Sequence, residues 1–214
     1  MAPTFSIIIP TVGRPELDRT LLSCLTAGLT SSDEVLVIGD GPQGAAERMV
    51  RKWQPAFPAP LWHFFTEKAN DWGCTPRNVG IGRASKDFLM FIDDDDEYVI
   101  GAFDMIREVT RSSTVALPIG LYWSPNHMKM VYNKVYVFRM MSHTRPWGEL
   151  WTHKNIENGN VGTPMFCVPN YKARLGLWTP RYTGDLDFIK STVALYPNQE
   201  KDIVWRPEII AKVH

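Results

Sequence analysis

The sequence predicts an α/β protein in which helices cover both faces of a mostly parallel central sheet. Short apolar segments alternate with longer segments whose apolar residues recur at helical spacing. Proline stands at the start of three of these longer segments, where a first helical turn tolerates it. Strands and helices that alternate in this way favour a parallel sheet with helical connections.

Four strands are predicted in the first half of the chain. The first is rich in isoleucine and is closed by Pro10, and the fourth contains five consecutive apolar residues, as expected of a strand buried on both faces. The predicted strands are residues 5–9, 34–38, 61–65 and 87–92. The helices that follow the first three strands open at Pro15, Pro42 and Pro76.

The regular alternation ends at the acidic residues that follow the fourth strand. A helix is predicted over residues 100–109, and a hairpin of two strands over 114–123 and 128–138. Residues 158–162 contain Gly159 and Gly162, and this pattern predicts a loop whose backbone can approach a ligand. The last predicted elements are a strand at 165–168, a helix from Gly184 and a short strand at 203–205.

Composition excludes several classes of protein. Lys and Arg together number 23, as do Asp and Glu, so a formal net charge of zero predicts neither nucleic-acid nor membrane affinity. No apolar run approaches the length of a membrane span, and no basic leader precedes the first strand. Cys24, Cys74 and Cys167 form neither a zinc-binding pair nor a disulfide framework. A cytoplasmic protein with a single domain, residues 1–214, is therefore expected.

Polar residues follow each of the four predicted strands. Thr11 and Arg14 follow the first, Asp40 the second, residues 71–78 the third and residues 93–96 the fourth. In open α/β sheets, ligands bind in the crevice beyond the carboxyl ends of the strands. Each residue alone could be a cap, a turn former or a surface side chain, but their convergence at one edge predicts a binding site.

Residues 93–96 are four consecutive aspartates, placed directly after a buried strand. So much negative charge is costly there unless a cation or hydrogen-bond donors neutralise it. Mg²⁺ and Mn²⁺ prefer carboxylate oxygens, and Mg²⁺ sites typically combine one or two carboxylates with substrate phosphates. The alternative is a solvated acidic turn that caps the next helix, but a turn would need one cap and not four. The aspartates therefore predict a site for Mn²⁺ or Mg²⁺ and a nucleotide.

Several segments resemble a known family. FSIIIPTVGRPE, EVLVIGDGP, TPRNVGIGRASKDFLMFIDDDDE and GDLDF look like the nucleotide-sugar glycosyltransferases of the GT-A fold, and the resemblance is closest to the large family 2 of inverting enzymes. About half the chain, up to the aspartates, carries the resemblance strongly. It implies a three-layer GT-A sandwich with a small antiparallel C-terminal extension. Residues 1–98 would bind the nucleotide sugar, and residues 99–214 would bind the acceptor.

The resemblance also implies which residues bind the donor. Thr11, Arg14 and Asp40 would hold the nucleotide base and ribose, and Arg77 would face the base or the diphosphate. A UDP-sugar is the favoured donor. Family members often have two acids after the second strand, and here Gly39 takes the place of the first.

The four aspartates are the implied DXD motif. Asp93 would lie near the ribose, and Asp95 would bind the metal ion. Because four aspartates are consecutive, the register could slip by one residue. Asp94, grouped with the donor-binding residues, and Asp96 are therefore alternates for these roles.

The resemblance places the catalytic base and a further metal ligand near the C-terminus. Asp185 aligns with the acid that such enzymes use as base, although Gly184 replaces the usual preceding glutamate. Asp185 or Asp187 could instead cap a helix. His214 is the candidate for the histidine that often completes the metal site in this fold.

The acceptor is less well defined by the sequence. A basic and aromatic group could stack on a saccharide or on a modified nucleic-acid base, or could fill a small second core. Its members are Trp123, His143, Arg145, Trp147, Trp151, His153 and Lys154. Alternatives to a transferase are a catalytically silent sugar- or nucleotide-binding module, a sugar-nucleotide nucleotidyltransferase and a Mg²⁺-dependent phosphohydrolase. The nucleotidyltransferase should carry a glycine-rich phosphate loop that residues 11–14 do not provide.

Overall fold

The computed structural model describes residues 2–111, 114–118, 128–132, 134–142 and 154–214. The strands are β1 Phe5–Thr11, β2 Glu34–Gly39, β3 Leu61–Phe65, β4 Phe88–Phe91, β5 Glu97–Tyr98, β6 Thr114–Pro118, β7 Met128–Tyr132, β8 Val135–Ser142, β9 Phe166–Pro169 and β10 Ile203–Val213. The α-helices are α1 Leu17–Thr26, α2 Gly44–Trp53, α3 Cys74–Arg83, α4 Ala102–Arg111, α5 Gly184–Val193 and α6 Gln199–Asp202. Single 3₁₀ turns lie at Gln54–Ala56, Thr163–Met165 and Lys172–Arg174.

One large sheet organises the described residues, with strand order β3-β2-β1-β4-β9-β8-β10-β5. Strands β3, β2, β1 and β4 are parallel to one another, as are β8 and β10, whereas β9 is antiparallel to both of its neighbours. A separate antiparallel pair joins β6 to β7. The predicted α/β fold with a mostly parallel sheet and some antiparallel strands in the second half is confirmed.

Helices pack on both faces of the sheet around β1. Phe5 lies against Phe103 of α4, with ring centroids 6.0 Å apart. A Cβ built on Gly80 of α3 would lie 2.6 Å from the Ile8 side chain, so that α3 packs directly on Ile8. Since side chains three positions apart in a strand point to opposite faces, α4 and α3 cover opposite faces of β1. The sheet is therefore the middle of three layers.

Two predicted elements of the second half were wrong in extent. Residues 128–138 are not one strand: β7 ends at Tyr132 in the small pair, and β8 begins at Val135 in the large sheet. The last strand does not end at Trp205 but runs to Val213. Its register shifts between Trp205 and Ile209, and this irregularity accommodates Pro207, which cannot donate a ladder hydrogen bond.

A buried ion pair fixes the start of the sheet. Asp33 accepts hydrogen bonds from the backbone N–H groups of Phe5 and Thr30 at 2.9 and 2.8 Å, and it pairs with Arg107. D33A should lower the free energy of unfolding by about 3–5 kcal/mol, because Arg107 would lose its buried partner. Urea denaturation measures this loss. As control, E108A removes an exposed acid of α4, the helix that carries Arg107, and should lower the free energy of unfolding by less than about 1 kcal/mol. Equal losses in D33A and E108A would contradict the prediction.

The three cysteines, Cys24, Cys74 and Cys167, are buried free thiols. None of the helices in the described ranges has the length and apolar character that a membrane span requires.

Candidate active site

A cavity of about 630 Å³ opens at the carboxyl ends of β1, β2 and β4, as the sequence predicted. It brings together the residues predicted to bind the donor, to bind the metal and to act as base: Thr11, Arg14, Asp40, Arg77, Asp93, Asp94, Asp95, Asp185 and His214. The second half of the chain supplies further lining residues, including the predicted glycine loop, with Asn158, Gly159, Val161, Gly162, Thr163 and Pro164. The cavity is therefore built between the first half and the second half of the sequence.

Three of the four aspartates form a cluster suited to a hard cation. One carboxylate oxygen from each of Asp93, Asp95 and Asp96 lies within 4.8 Å of the others. Asp94 is oriented differently: it accepts hydrogen bonds from the Thr11 hydroxyl at 2.6 Å and from the Val12 N–H at 3.2 Å. Asp94 therefore ties the acidic turn to the end of β1. The three clustered carboxylates provide the oxygen ligands that Mg²⁺ and Mn²⁺ prefer.

Helix α1 holds the backbone of the acidic turn. The Arg19 guanidinium donates to the carbonyl oxygen of Asp95 at 2.7 Å, and the Thr20 hydroxyl donates to that of Asp96 at 2.7 Å. Arg14, in the loop before α1, forms an ion pair with the Asp95 carboxylate. The carboxylates of the cluster therefore project from a fixed backbone.

The cluster carries a protonation equilibrium close to neutral pH. Burial, followed by the negative charge of Asp93, raises the pKa of Asp96 to about 8. Burial also raises the pKa of Asp94, against the stabilising hydrogen bond from Thr11. A divalent cation binds the deprotonated carboxylate, so its binding would displace the proton from Asp96.

Asp40 shapes a loop beside the cavity. Its two carboxylate oxygens accept hydrogen bonds from the backbone N–H groups of Ala69 and Asn70 at 2.6 and 2.9 Å. Asp40 is buried, with 4% of its surface exposed. In this geometry Asp40 orders the loop between β3 and α3, while still lining the cavity where the sequence analysis expected a nucleotide contact.

Arg77 connects the acidic cluster to the second half of the chain. Its guanidinium pairs with Asp93, donates to the carbonyl oxygen of Trp72 at 2.8 Å, and lies 4.5 Å from the ring centroid of Trp178. The Trp178 ring stacks on Phe188 of α5, with centroids 5.0 Å apart. This continuous packing fixes α5 relative to the cluster.

Asp185 occupies the first turn of α5 and is half-buried in the cavity wall. Its Oδ1 accepts a hydrogen bond from the Leu186 N–H at 2.7 Å. Burial raises the pKa of the Asp185 carboxyl group, with a smaller opposing effect from the positive charge of Arg77. The N-cap position of α5 is Thr183, whose side chain makes no capping hydrogen bond, and Asp185 lies within the first turn of the helix.

His214 lies at the cavity beside the cluster. Its backbone N–H donates to Asp96 Oδ1 at 3.0 Å, and its Nε2 lies 2.7 Å from Glu97 Oε1. The ring nitrogens are not part of the three-carboxylate cluster. Its role as a metal ligand stays a prediction.

Two departures from the family pattern have a steric reason. A Cβ at position 39 would lie 2.7 Å from the carbonyl oxygen of Gly41. A Cβ at position 184 would lie 2.6 Å from Cys74 Sγ and 2.7 Å from the carbonyl oxygen of Thr179. The glutamate that family members often carry before the catalytic acid, and the first of their two acids after β2, therefore have no room in this backbone.

The packing at position 184 makes a testable prediction. G184A should lower the free energy of unfolding by about 1–3 kcal/mol, because the added methyl group meets a backbone carbonyl that cannot turn away. G82A is the matched control, since a Cβ there meets nothing within 4 Å and alanine favours a helix. Thermal unfolding of both variants measures the difference. A G184A variant as stable as G82A would contradict the described packing.

Most of the predicted basic and aromatic group lies outside the described residues. These members are Trp123, His143, Arg145, Trp147, Trp151 and His153. The seventh, Lys154, is described and does not line the cavity. Trp178 was missed because a single tryptophan outside any periodic segment carries no signal of a helix, a strand or a site. Asp96 was foreseen only as an alternate.

Comparisons with known proteins agree with this architecture. The sequence model described as Glycosyl transferase family 2 matches residues 6–169. An "Uncharacterized glycosyltransferase" of Haemophilus influenzae is 33% identical over 104 residues, which are 49% of this chain and 33% of that protein. The chain thus spans about a third of the length of that curated relative.

Solved structures share the fold. The crystal structure of S. aureus TarS 1–349 in complex with UDP superposes with a TM-score of 0.71 at 15% identity, covering 98% of this chain and 60% of that one. The complex of the same protein with UDP-GlcNAc gives a TM-score of 0.69 at 16% identity, covering 98% of this chain and 58% of that one. The protein has the fold of the GT-A glycosyltransferases. With more than half of its residues matched, the chain belongs to glycosyl transferase family 2.

Proposed function

We propose that this protein is a metal-dependent, inverting glycosyltransferase that moves a sugar from a nucleoside diphosphate donor to an acceptor hydroxyl group. The observation that carries the proposal is one cavity with two separate acidic elements. One is the cluster of Asp93, Asp95 and Asp96 at the end of β4, and the other is Asp185 on α5. Leaving-group stabilisation and proton abstraction need separate acidic groups within one site, and these two come from different elements of the fold.

The carboxylate cluster would hold Mn²⁺ or Mg²⁺. Asp95 and Asp96 project from a turn that α1 fixes, and Asp93 is paired with Arg77. When bound there, a divalent ion supplies Lewis-acid stabilisation to a diphosphate leaving group. Arg14 and Arg77 line the cavity at this cluster, through their ion pairs with Asp95 and Asp93, and can stabilise the phosphate charge by hydrogen bonding.

The donor nucleotide would lie over the carboxyl ends of β1 and β2. Thr11 and Asp94 are joined by a short hydrogen bond there, and Asp40 orders the neighbouring loop. UDP is the favoured nucleotide, which is supported by the UDP and UDP-GlcNAc complexes of a protein with the same fold. Residues 1–98 would then form the donor half and residues 99–214 the acceptor half, from which Asp185 reaches the cavity.

Asp185 would accept the proton of the attacking hydroxyl group. A base with a pKa above the ordinary aspartate range binds that proton more readily, and burial raises the pKa of Asp185 in this direction. A carboxylate at this position also stabilises the positive charge that develops on the sugar. Attack from the face opposite the leaving group inverts the anomeric carbon, and a single base is sufficient for it.

The stereochemistry of the product tests this proposal. The enzyme is incubated with a UDP-sugar, Mn²⁺ and a saccharide acceptor, and NMR spectroscopy follows the anomeric proton from donor to product. We expect an α-linked donor to give a β-linked product, with UDP released. Retention of configuration would contradict the role of Asp185 as the base. Nucleotide binding without transfer to any acceptor would favour a catalytically silent binding module, which has no need of Asp185.

A further inference from the structure

Two exposed aromatic side chains stand at the mouth of the cavity. Trp72 is 62% exposed and Tyr182 is 82% exposed, and both line the same cavity as Asp185. Single exposed aromatic residues are ordinary on protein surfaces. Here the two residues lie on separate loops that meet at one opening, and Trp178, which also lines the cavity, is buried.

The backbone at Trp72 is held in an unusual conformation. Its φ angle is +58°, a left-handed value that is unfavourable for a bulky side chain. Buried groups impose this conformation: Asp40 binds the preceding N–H groups of Ala69 and Asn70, and Arg77 donates to the Trp72 carbonyl oxygen at 2.8 Å. Such outliers persist only where the surrounding structure determines them, and they concentrate at functional sites.

The loop that carries Tyr182 is anchored next to the Trp72 loop. Cys74 Sγ lies 3.9 Å from the Arg181 carbonyl oxygen, which also accepts the Gly184 N–H at 3.0 Å. The Arg181 side chain forms an ion pair with Asp187 of α5. These contacts anchor Arg181, and therefore the backbone next to Tyr182, in the segment that leads to Asp185.

We propose that Trp72 and Tyr182 bind the acceptor, and that the acceptor is a neutral saccharide whose ring packs on these two side chains. The inference rests on the proposed function, because it assigns the second substrate of that site. A sugar ring has an apolar C–H face that packs on an aromatic ring, while its hydroxyl groups at the edge remain free to reach Asp185. Trp and Tyr offer such surfaces with few rotatable bonds to immobilise.

Charge favours a neutral acceptor over a phosphorylated or nucleic-acid acceptor. Among the described residues, the arginines that line the cavity are Arg14, Arg77 and Arg181, and each forms an ion pair with an aspartate of this chain. The net charge of the whole protein is zero. Nucleic-acid binding depends on basic side chains that neutralise phosphates. Here Arg14 and Arg77 lie at the carboxylate cluster and are assigned to the donor diphosphate, and Arg181 is paired with Asp187.

Transfer kinetics with defined probes test the inference. The full chain with Mn²⁺ and a UDP-sugar is assayed for UDP release with methyl glycosides of glucose, galactose and N-acetylglucosamine, with sugar 6-phosphates, and with a single-stranded oligonucleotide. W72A and Y182A should each raise the KM for the accepted glycoside about tenfold, with the Kd for UDP within twofold of the wild-type value. W72F and Y182F, which keep the rings, should retain most of the affinity.

Two variants at exposed rings outside the cavity serve as matched controls. W62A and Y171A remove exposed rings, 48% and 43% exposed, that do not line the cavity, and they should leave the KM unchanged. An unchanged KM in W72A and Y182A would overturn the inference, as would transfer only to phosphorylated or oligonucleotide probes. A Kd for UDP weakened in parallel would assign Trp72 to the donor instead. Failure of the wild-type protein to bind UDP would refute the proposed function itself.

Discussion

D185N is expected to lower kcat by about 10²–10⁴-fold, the range that removal of a general base typically costs. Asparagine keeps the size of the side chain and the hydrogen bond that the Leu186 N–H donates to it, at 2.7 Å in the wild-type protein. It cannot accept the proton of the acceptor hydroxyl group. The Kd for UDP should stay within about twofold of the wild-type value, because Asp185 is not a member of the carboxylate cluster and asparagine keeps its size. Single-turnover transfer and calorimetric titration measure these two quantities separately.

The matched control for D185N is D104N. Asp104 also lies in the first turn of a helix, α4, but it is outside the cavity, so its replacement should leave kcat unchanged. The pH profile gives a second test. Because burial raises the pKa of Asp185, wild-type activity should fall on acidification through a pKa above the ordinary aspartate range. If D185N kept the wild-type kcat and this acidic limb, another group would have to be the base.

D96N is expected to weaken Mn²⁺ binding by about 10–100-fold or more, since even outer-shell partners of metal ligands have effects of that size. Asp96 is buried within the three-carboxylate cluster. Its pKa of about 8 further predicts that Mn²⁺ affinity of the wild-type protein rises with pH up to that value, because the cation must displace the proton. The electron paramagnetic resonance signal of free Mn²⁺ measures the affinity directly.

Two further variants make the Mn²⁺ experiment specific. D18N changes an acid of α1 that does not line the cavity and should leave Mn²⁺ affinity unchanged. D94N should weaken UDP binding, because it disturbs the 2.6 Å hydrogen bond from Thr11, while Mn²⁺ affinity is largely retained. If D94N lost Mn²⁺ and D96N did not, the cluster of Asp93, Asp95 and Asp96 would not be the metal site.

The first half of the fold could be predicted from the sequence because its signals are local. Strand β3, Leu61–Phe65, has the predicted bounds, because Pro60 marks where this largely apolar segment begins and a polar loop marks where it ends. Strand β10 was cut short because Pro207 normally ends a strand, and only the pairing of β10 with β8 reveals a bulge that tolerates it. The extent of β10 therefore depends on contacts between distant parts of the chain, which no local sequence pattern shows.

The location of the site was predictable, but the geometry within it was not. Sheet topology brings Asp40, Asp95 and Asp185 to one cavity, as the strand-end rule and the family resemblance predicted. Which of four consecutive aspartates face the cluster depends on the turn, and there Asp94 rotates toward β1. The contacts of Trp72 depend on a left-handed backbone that no local pattern signals.

Calorimetric titration of the wild-type protein with UDP, first with Mn²⁺ and then with EDTA, tests the proposed donor site most directly. GDP, CDP and dTDP serve as comparison ligands in the same buffer. We expect micromolar binding of UDP that is lost when EDTA removes the metal, with weaker binding of the other three nucleotides. Absence of nucleotide binding with or without Mn²⁺ would contradict the proposed site and leave the aspartates as an acidic turn.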